Sequence, residues 1–364
     1  MILQKTQYNI QKLRKEVLFK LRYKWHRLIH WEFWPMWAVY LPCIVYYFWI
    51  SLKSRSFGFF RAVNPAIVHG GMTLEDKNFV NRLLPQNYRA KSFLIECETN
   101  LQEIESIIRK NGLEYPVILK PNNGCRGRNV ELIRNNESLK KYLENNGNED
   151  LLLEEYISFP NEIGVFYIRF PNEKKGFISG IVEKKGITVT GNGQQTLGEL
   201  IQYNLRYHSF YLKIFQDDCH QINCIPDANE QIVVSSIGNH ARGATFYDVS
   251  DKISEKLTDV FNEICSSVDG FYYGRFDVKF NSWEELESGE NFRIIELNGA
   301  ASEPTFIYDP RHSYFFAIKE IIRHWNFMYK IAKFNKKKGH SFTSREDCWK
   351  ILKEFNPFLT SSGI

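Results

Sequence analysis

The stretch from Gly274 to Gly299 constrains the chain most, because it reads as two strands sharing one polar face. In Gly-Arg-Phe-Asp-Val-Lys-Phe, Phe276, Val278 and Phe280 alternate with Arg275, Asp277 and Lys279. Period-two alternation predicts a strand with one apolar and one polar side. Phe292 to Leu297 predicts a second strand, with Glu296 near its end and Asn298 just beyond it. The loop Asn281–Asn291 is rich in Glu, Ser, Gly and Asn, so the two strands are expected to pair antiparallel. That pairing brings Asp277 beside Glu296 and Asn298. Two carboxylates and an amide oxygen form a hard-oxygen set, which suits Mg²⁺ carrying nucleotide phosphates. A hairpin whose polar face merely meets water accounts for the same three residues, so the rest of the chain has to decide.

Composition sets outer limits. The 364 residues, 24% charged and 43% hydrophobic, are ordinary globular material with room for two or three domain-sized units. The net charge of +5 is concentrated: residues 1–30 hold eight Lys/Arg and one acid, Glu16. The remainder is close to neutral, which argues against a general nucleic-acid binder. Seven cysteines fall at irregular positions, and only Cys219 and Cys224 lie close together. No second pair completes a zinc site, so reduced thiols in a cytosolic compartment are expected.

Residues 4–28 predict a basic helix, and Phe33 to Leu52 is twenty residues without a charge. That length suffices to cross a bilayer. Against a crossing stand Pro35 and Pro42, expected to interrupt the helix, and Trp and Tyr spread along the whole segment rather than at its ends. A basic N-terminus on the outer side would also oppose the positive-inside bias. Residues 1–52 are therefore expected to associate with the cytosolic face of a membrane. The rival reading is a helix pair buried against the core or a second subunit, and a homodimer stays open.

Residues 53–115 are mixed, with turns at Asn64-Pro65 and Gly70-Gly71, a helix Thr73–Leu84 capped by Thr73, a strand Ser92–Glu96 and a helix Leu101–Lys110. Tyr115–Pro121 is a strand that carries Lys120 into the loop Asn122–Val130, which holds Gly124, Arg126, Gly127 and Arg128. A glycine-containing loop entered by a lysine is able to cover a triphosphate, though it lacks the Gly-Lys-Ser/Thr of a P-loop. The strand Leu151–Ile157 turns acidic at Glu154 and Glu155. Antiparallel strands are expected at Phe166–Phe170 and Phe177–Lys184, a turn at Gly191-Asn192-Gly193 and a helix Thr196–Leu205. A strand Ile232–Ile237 leads into Gly238-Asn239-His240-Ala241-Arg242-Gly243. Helices Ile253–Val268 and His312–Ala332 flank the hairpin, and a basic tail occupies 331–364. The organisation expected is 116–160 and 161–330 as two subdomains after the reduced region 53–115.

Over about residues 90 to 325 these segments together resemble the ATP-grasp superfamily, the fold of D-alanine–D-alanine ligase and cyanophycin synthetase. The resemblance implies an α+β fold in which two subdomains clamp ATP. It implies that Lys120 contacts nucleotide phosphates under the Gly124–Asn129 loop. Glu154, Glu155 and Ile157 match the adenine-binding hinge and Glu162 the ribose-binding acid. Asp277, Glu296 and Asn298 match the ligands of two Mg²⁺ ions. Arg275 matches an arginine that stabilises the reacting carboxyl. Asn239 and Arg242 match a turn near the phosphates, where His240 is either a base or a structural histidine. The chain departs from those ligases in its short region before Pro116 and in lacking a firm early phosphate lysine, for which Lys91 is a candidate. The implied activity is ATP-dependent joining of a carboxylate to an amine at the inner face of the cell membrane. A kinase that stops at phosphate transfer, and a non-catalytic nucleotide-binding adaptor, share the same ATP residues.

Overall fold

The computed structural model describes residues 2–72, 76–123, 129–211, 222–235, 238, 240, 243–344 and 346–347, with side chains from residue 13 onward. The basic helix α1 spans Ile2–Ile29. A single 3₁₀ turn, Trp31–Phe33, separates it from α2, Met36–Ser54. Pro42 was expected to break this second helix, yet α2 runs straight through it. Proline removes the N–H that would bond the carbonyl four residues back, which is that of Ala38. The Tyr314 hydroxyl donates to that freed carbonyl at 3.1 Å and to Val39 at 3.2 Å, which replaces the missing partner.

The next helix, α3, spans Lys77–Leu83, and its cap is Asp76, whose side chain accepts the Phe79 N–H at 2.8 Å. The helix thus starts later than expected, and Thr73, the expected cap, lies outside the described residues. Strand β1 spans Ser92–Ile95, and α4 spans Leu101–Lys110 with a full Asn100/Glu103 capping box. Then follow β2 (Val117–Pro121), β3 (Glu131–Ile133), α5 (Asn136–Asn146) and β4 (Leu151–Glu155). These strands form one antiparallel sheet in the order β1-β4-β2-β3. Val117, Leu119, Leu151 and Leu153 bury one side of it against Ile104, Ile108, Leu139 and Tyr142 of the two helices.

The second sheet begins with β5, Asn161–Ile168, which starts five residues before the expected strand and so carries Glu162 within the ladder. Strand β6 is Phe177–Lys185. A short pair, β7 (Ile187–Thr190) and β8 (Gln231–Ser235), packs over α6 (Leu197–Gln202) through Ile187, Val189, Leu197 and Ile201. After β9 (Thr245–Asp248) come α7 (Glu255–Ser266), β10 (Tyr273–Phe280), α8 (Trp283–Glu287) and β11 (Phe292–Asn298). The hairpin loop, expected without secondary structure, folds the turn α8 because Ser282 caps it. The order in the sheet is β11-β10-β5-β6-β9. Val165, Tyr167, Phe276 and Val278 cover one face with Leu257, Phe261 and Ile264 of α7. The last helix, α9, spans Tyr314–Lys337, so Lys333, Lys336 and Lys337 extend a helix rather than a loose tail. Its Met328, Tyr329 and Ile331 cover Phe166, Ile168 and Tyr273 on the other face.

Contacts divide the chain into two units. One comprises residues 1–42, 184–247 and 307–318, and the other 43–183, 248–306 and 319–364. Within the second unit, the short region after α2 frames the hairpin. Asn64 is fully buried and makes four hydrogen bonds: its amide donates to Gly70 O and Tyr273 O, and its oxygen accepts the N–H groups of Tyr272 and Tyr273. The Gly70 and Gly71 carbonyls in turn accept from Ala300 and Ala301, just past the end of β11. Asn64→Ala removes all four of these hydrogen bonds, of which only the Gly70 carbonyl keeps another donor among the described residues, the Ala300 N–H. A loss of roughly 3–5 kcal/mol is expected, to be read from the midpoint of denaturant unfolding.

Candidate active site

Strand pairing places the hairpin's polar residues. In the β10–β11 ladder Arg275 faces Asn298 and Asp277 faces Glu296, so all four project from one face. A bulge follows at Asp277/Val278, where register shifts by one residue. Asp277 is buried, and both its oxygens accept from Arg275: Nε to Oδ1 at 2.9 Å and Nη2 to Oδ2 at 3.3 Å. Arg275 Nη1 also donates to Glu303 O at 3.3 Å. Beneath the pair lies Gly164, opposite Asp277 on β5. A Cβ there would come within 3.2 Å of Arg275 Cδ and 3.3 Å of Asp277 Oδ1, so the glycine leaves room for the pair.

Lys120 reaches the same place from the first sheet. It is buried, and its Nζ lies 2.7 Å from Glu154 Oε2. Burial by itself lowers the Lys120 pKa, but Glu154, Glu296 and Asp277 together hold it above the ordinary lysine range. Arg275 follows the same pattern, with burial opposed by Asp277, Glu296 and Glu303 and a net rise. Two cations and four carboxylates thus act on one another here, five of them from β2, β4, β10 and β11 and Glu303 from just beyond β11.

Glu154, expected in the adenine-binding hinge, lies at the end of β4. Its backbone sits within the sheet, paired with Ser92 on one side and Ile118 on the other. Its side chain, besides holding Lys120, accepts from Asn81 Nδ2 at 3.1 Å. Glu155 Oε1 accepts the Lys91 N–H at 2.9 Å, and the Glu155 N–H donates to Lys91 O, which ties Lys91 to the hinge end of β4. The Ile157 carbonyl accepts Lys279 Nζ at 3.3 Å, and the same ammonium lies 5.5 Å from the centre of the Tyr156 ring. Glu162 stands opposite Lys279 in the β5–β10 ladder. Lys279 was not assigned a role from sequence, though it shares the strand face of Arg275 and Asp277.

Gly124, Arg126, Gly127, Arg128, Asn239 and Arg242 lie outside the described residues. His240 is described, and it faces Glu32 of the Trp31–Phe33 turn. Its Nε2 lies 3.2 Å from Glu32 Oε2, while the guanidinium of Arg206 holds both Glu32 oxygens at 2.9 Å. The imidazole packs between the rings of Tyr308 and Phe246, each centred 5.3 Å away. Glu32 is buried while His240 and Arg206 are partly exposed, and sequence reasoning passed over Glu32, one of only two acids in the first seventy residues. Burial pushes the Glu32 carboxyl up, but the bonds to His240 and Arg206 outweigh it and leave the pKa below the ordinary 4.5. A depressed carboxyl contributes stability above its unfolded pKa and loses it as pH falls through the folded value. Wild type is therefore expected to lose more stability than Glu32→Gln as pH drops below 4.5, measured by urea midpoints along a pH series.

The donor set fits Mg²⁺. Asp277 and Glu296 supply carboxylate oxygens, and the Asn298 amide nitrogen has no hydrogen-bond partner among the described residues, so no neighbour fixes that amide. No group of three His, Cys, Asp or Glu side chains suited to a metal occurs among the described residues, which leaves an amide as the third donor here.

Residues 90–196 match the ATP-grasp domain family. This range holds Lys120, Glu154, Glu155, Ile157 and Glu162, while Arg275, Asp277, Glu296 and Asn298 follow it. Among solved structures the chain is similar to D-alanine–D-alanine ligase from Bacillus anthracis, at 13% identity and a TM-score of 0.41, over 72% of this chain and 68% of that one. It is similar to the bifunctional glutathione synthetase from Pasteurella multocida at 14% identity and a TM-score of 0.39, over 72% of this chain and 38% of that one. It is also similar to carboxyaminoimidazole ribonucleotide synthase from Aspergillus clavatus, at 14% identity and a TM-score of 0.41, over 71% and 54% of the two chains. No curated protein sequence matches it. The match to the ATP-grasp domain family thus falls within a mixed α+β fold of antiparallel sheets.

Proposed function

We propose that the protein is an ATP-dependent carboxylate–amine ligase. The observation that carries this reading is the convergence of Lys120 with Arg275, Asp277 and Glu296 from two sheets into one largely buried site. Lys120 would meet the nucleotide phosphates, and Asp277, Glu296 and Asn298 would hold two Mg²⁺ ions that neutralise phosphate charge. A substrate carboxylate attacks the γ-phosphorus, and the bond to the β–γ bridging oxygen breaks, giving an acyl phosphate and ADP. The amine nitrogen then attacks the acyl carbon, loses a proton and expels inorganic phosphate, leaving an amide. Arg275, paired to Asp277 and bonded to Glu303 O, would oppose negative charge on the reacting carboxyl. The Lys279–Ile157 bond would set the hinge carbonyl against which the adenine sits.

The experiment is a screen of ADP release by the full-length protein across carboxylates and amines, with mass analysis of the products. The reading predicts release that needs both substrates and yields an amide. A stable phosphorylated product formed without amine would replace it with a kinase. No ADP release under any pairing, with ATP bound, would leave a nucleotide-binding adaptor.

A further inference from the structure

The N-terminal helices carry apolar surface that the rest of the protein leaves uncovered. On α1, Val17, Leu18, Leu21, Trp25 and Leu28 are all exposed and recur at helical spacing along one side. On α2, Trp37, Leu41, Val45, Phe48, Trp49 and Leu52 do the same, with Trp37, Val45 and Leu52 each at least 70% exposed. The opposite side of α2 is buried at Val39, Cys43 and Ile50. Large aromatic and aliphatic side chains in open water at this density mark an interaction surface. The charges beside them say what it meets. Arg14, Lys15, Lys20, Arg22 and Lys24 are exposed along α1.

We propose that α1 and α2 dock in the plane of an anionic lipid surface, each with its exposed stripe in the headgroup–acyl boundary, and that α2 does not cross the bilayer. Nineteen residues of helix reach about 28 Å, so length alone would permit crossing. Packing opposes it. Ile50 belongs to a core with Phe59, Tyr329 and Met328, and Tyr47 packs edge-on to Trp325 at 5.6 Å. Those partners sit on α9 beside Lys319, Glu320, Arg323 and Lys330, and Phe59 is two residues from Arg61. A crossing α2 would have to strip these partners from its buried side or draw their charges into hydrocarbon, where each is costly. In-plane docking leaves the buried side of α2 in place and sets its tryptophans and tyrosines, with the exposed lysines and arginines of α1, where headgroups meet acyl chains. The exposed tryptophans Trp37 and Trp49 lie along the uncovered stripe of α2, a residue type that favours that boundary. This inference stands apart from the ligase reading, since it uses none of the residues of that site.

The test is co-sedimentation of the full-length protein with vesicles of phosphatidylcholine alone and with a quarter phosphatidylglycerol. Tighter binding to the anionic vesicles is expected, weakened but not abolished by high salt, because charge is screened while apolar insertion is not. Val45→Asp/Phe48→Asp should lower binding at least tenfold on both vesicles with an unchanged circular-dichroism melt, both positions being solvent-exposed. Lys20→Glu/Lys24→Glu should remove the preference for the anionic vesicles and leave the salt-insensitive part. Binding that survives the aspartate pair, or full-length protein that stays in the supernatant, overturns the proposal. So does a solution dimer that the aspartate pair dissociates in the absence of lipid, which would assign the stripe to a second copy. Digestion of an N-terminal tag by protease added to intact cells would establish a crossing and overturn the in-plane geometry.

Discussion

Asp277→Asn and Glu296→Gln should each reduce Mg²⁺-dependent ADP formation on the order of 10³-fold, the rate equivalent of losing several kcal/mol of metal-borne charge stabilisation. The two positions face each other in the ladder, so each variant removes one anion from the same point. Their structural consequences differ. Asp277 accepts two hydrogen bonds from Arg275, and an asparagine keeps one acceptor oxygen while facing the guanidinium with an N–H₂ group. Glu296 has no such pairing with Arg275 to lose. Asp277→Asn is therefore expected to lower unfolding stability as well as activity, and Glu296→Gln activity almost alone. Near-normal turnover in both variants would remove the pair from the reaction centre.

The second large effect separates two roles of Lys120. Lys120→Ala leaves Glu154 buried with the Asn81 amide still donating to it, and breaking a buried ion pair from one side costs about 3–5 kcal/mol of stability. It also removes a charge-assisted contact to phosphate, worth about 1–3 kcal/mol of ATP affinity. The double variant Lys120→Ala/Glu154→Gln removes the orphaned charge. It should recover most of the stability and none of the affinity, because glutamine answers the Asn81 amide but offers nothing to phosphate. Unfolding curves and calorimetric ATP titration on wild type, single and double variants read the two roles separately. Recovery of ATP affinity in the double variant would show that Lys120 serves Glu154 alone.

How much of this was legible beforehand depended on how local the determining physics was. The β10–β11 hairpin was readable, because alternation fixes the face of Arg275, Asp277 and Lys279 within seven residues. The helix Leu101–Lys110 was readable to the residue, since Leu101, Ile104, Ile107 and Ile108 recur at helical spacing. What failed was non-local. Pro42 reads as a helix break until a tyrosine 272 positions later answers the Ala38 carbonyl. Asn64 and Glu32 read as a turn residue and a stray acid, and each proves to be the hub of a buried hydrogen-bond cluster. Their partners lie 209 and 174 positions away, beyond any window of pattern.

Those separations bear on the timing of folding. Trp31, just ahead of α2, donates its indole N–H to His312 O across 281 residues. Closing so long a loop adds little to the thermodynamic cost, which grows only with the logarithm of length, but it delays the event. During synthesis the N-terminal helices leave the ribosome long before their seat exists, and at about 5–20 residues per second the wait is tens of seconds. The buried side of α2, with Val39, Cys43 and Ile50, is uncovered for that interval along with the side that stays exposed. The nascent chain therefore passes through a stage more apolar at its N-terminus than the finished protein. A ribosome-bound chain arrested before residue 312 should show it as stronger binding of a hydrophobic dye than the released protein.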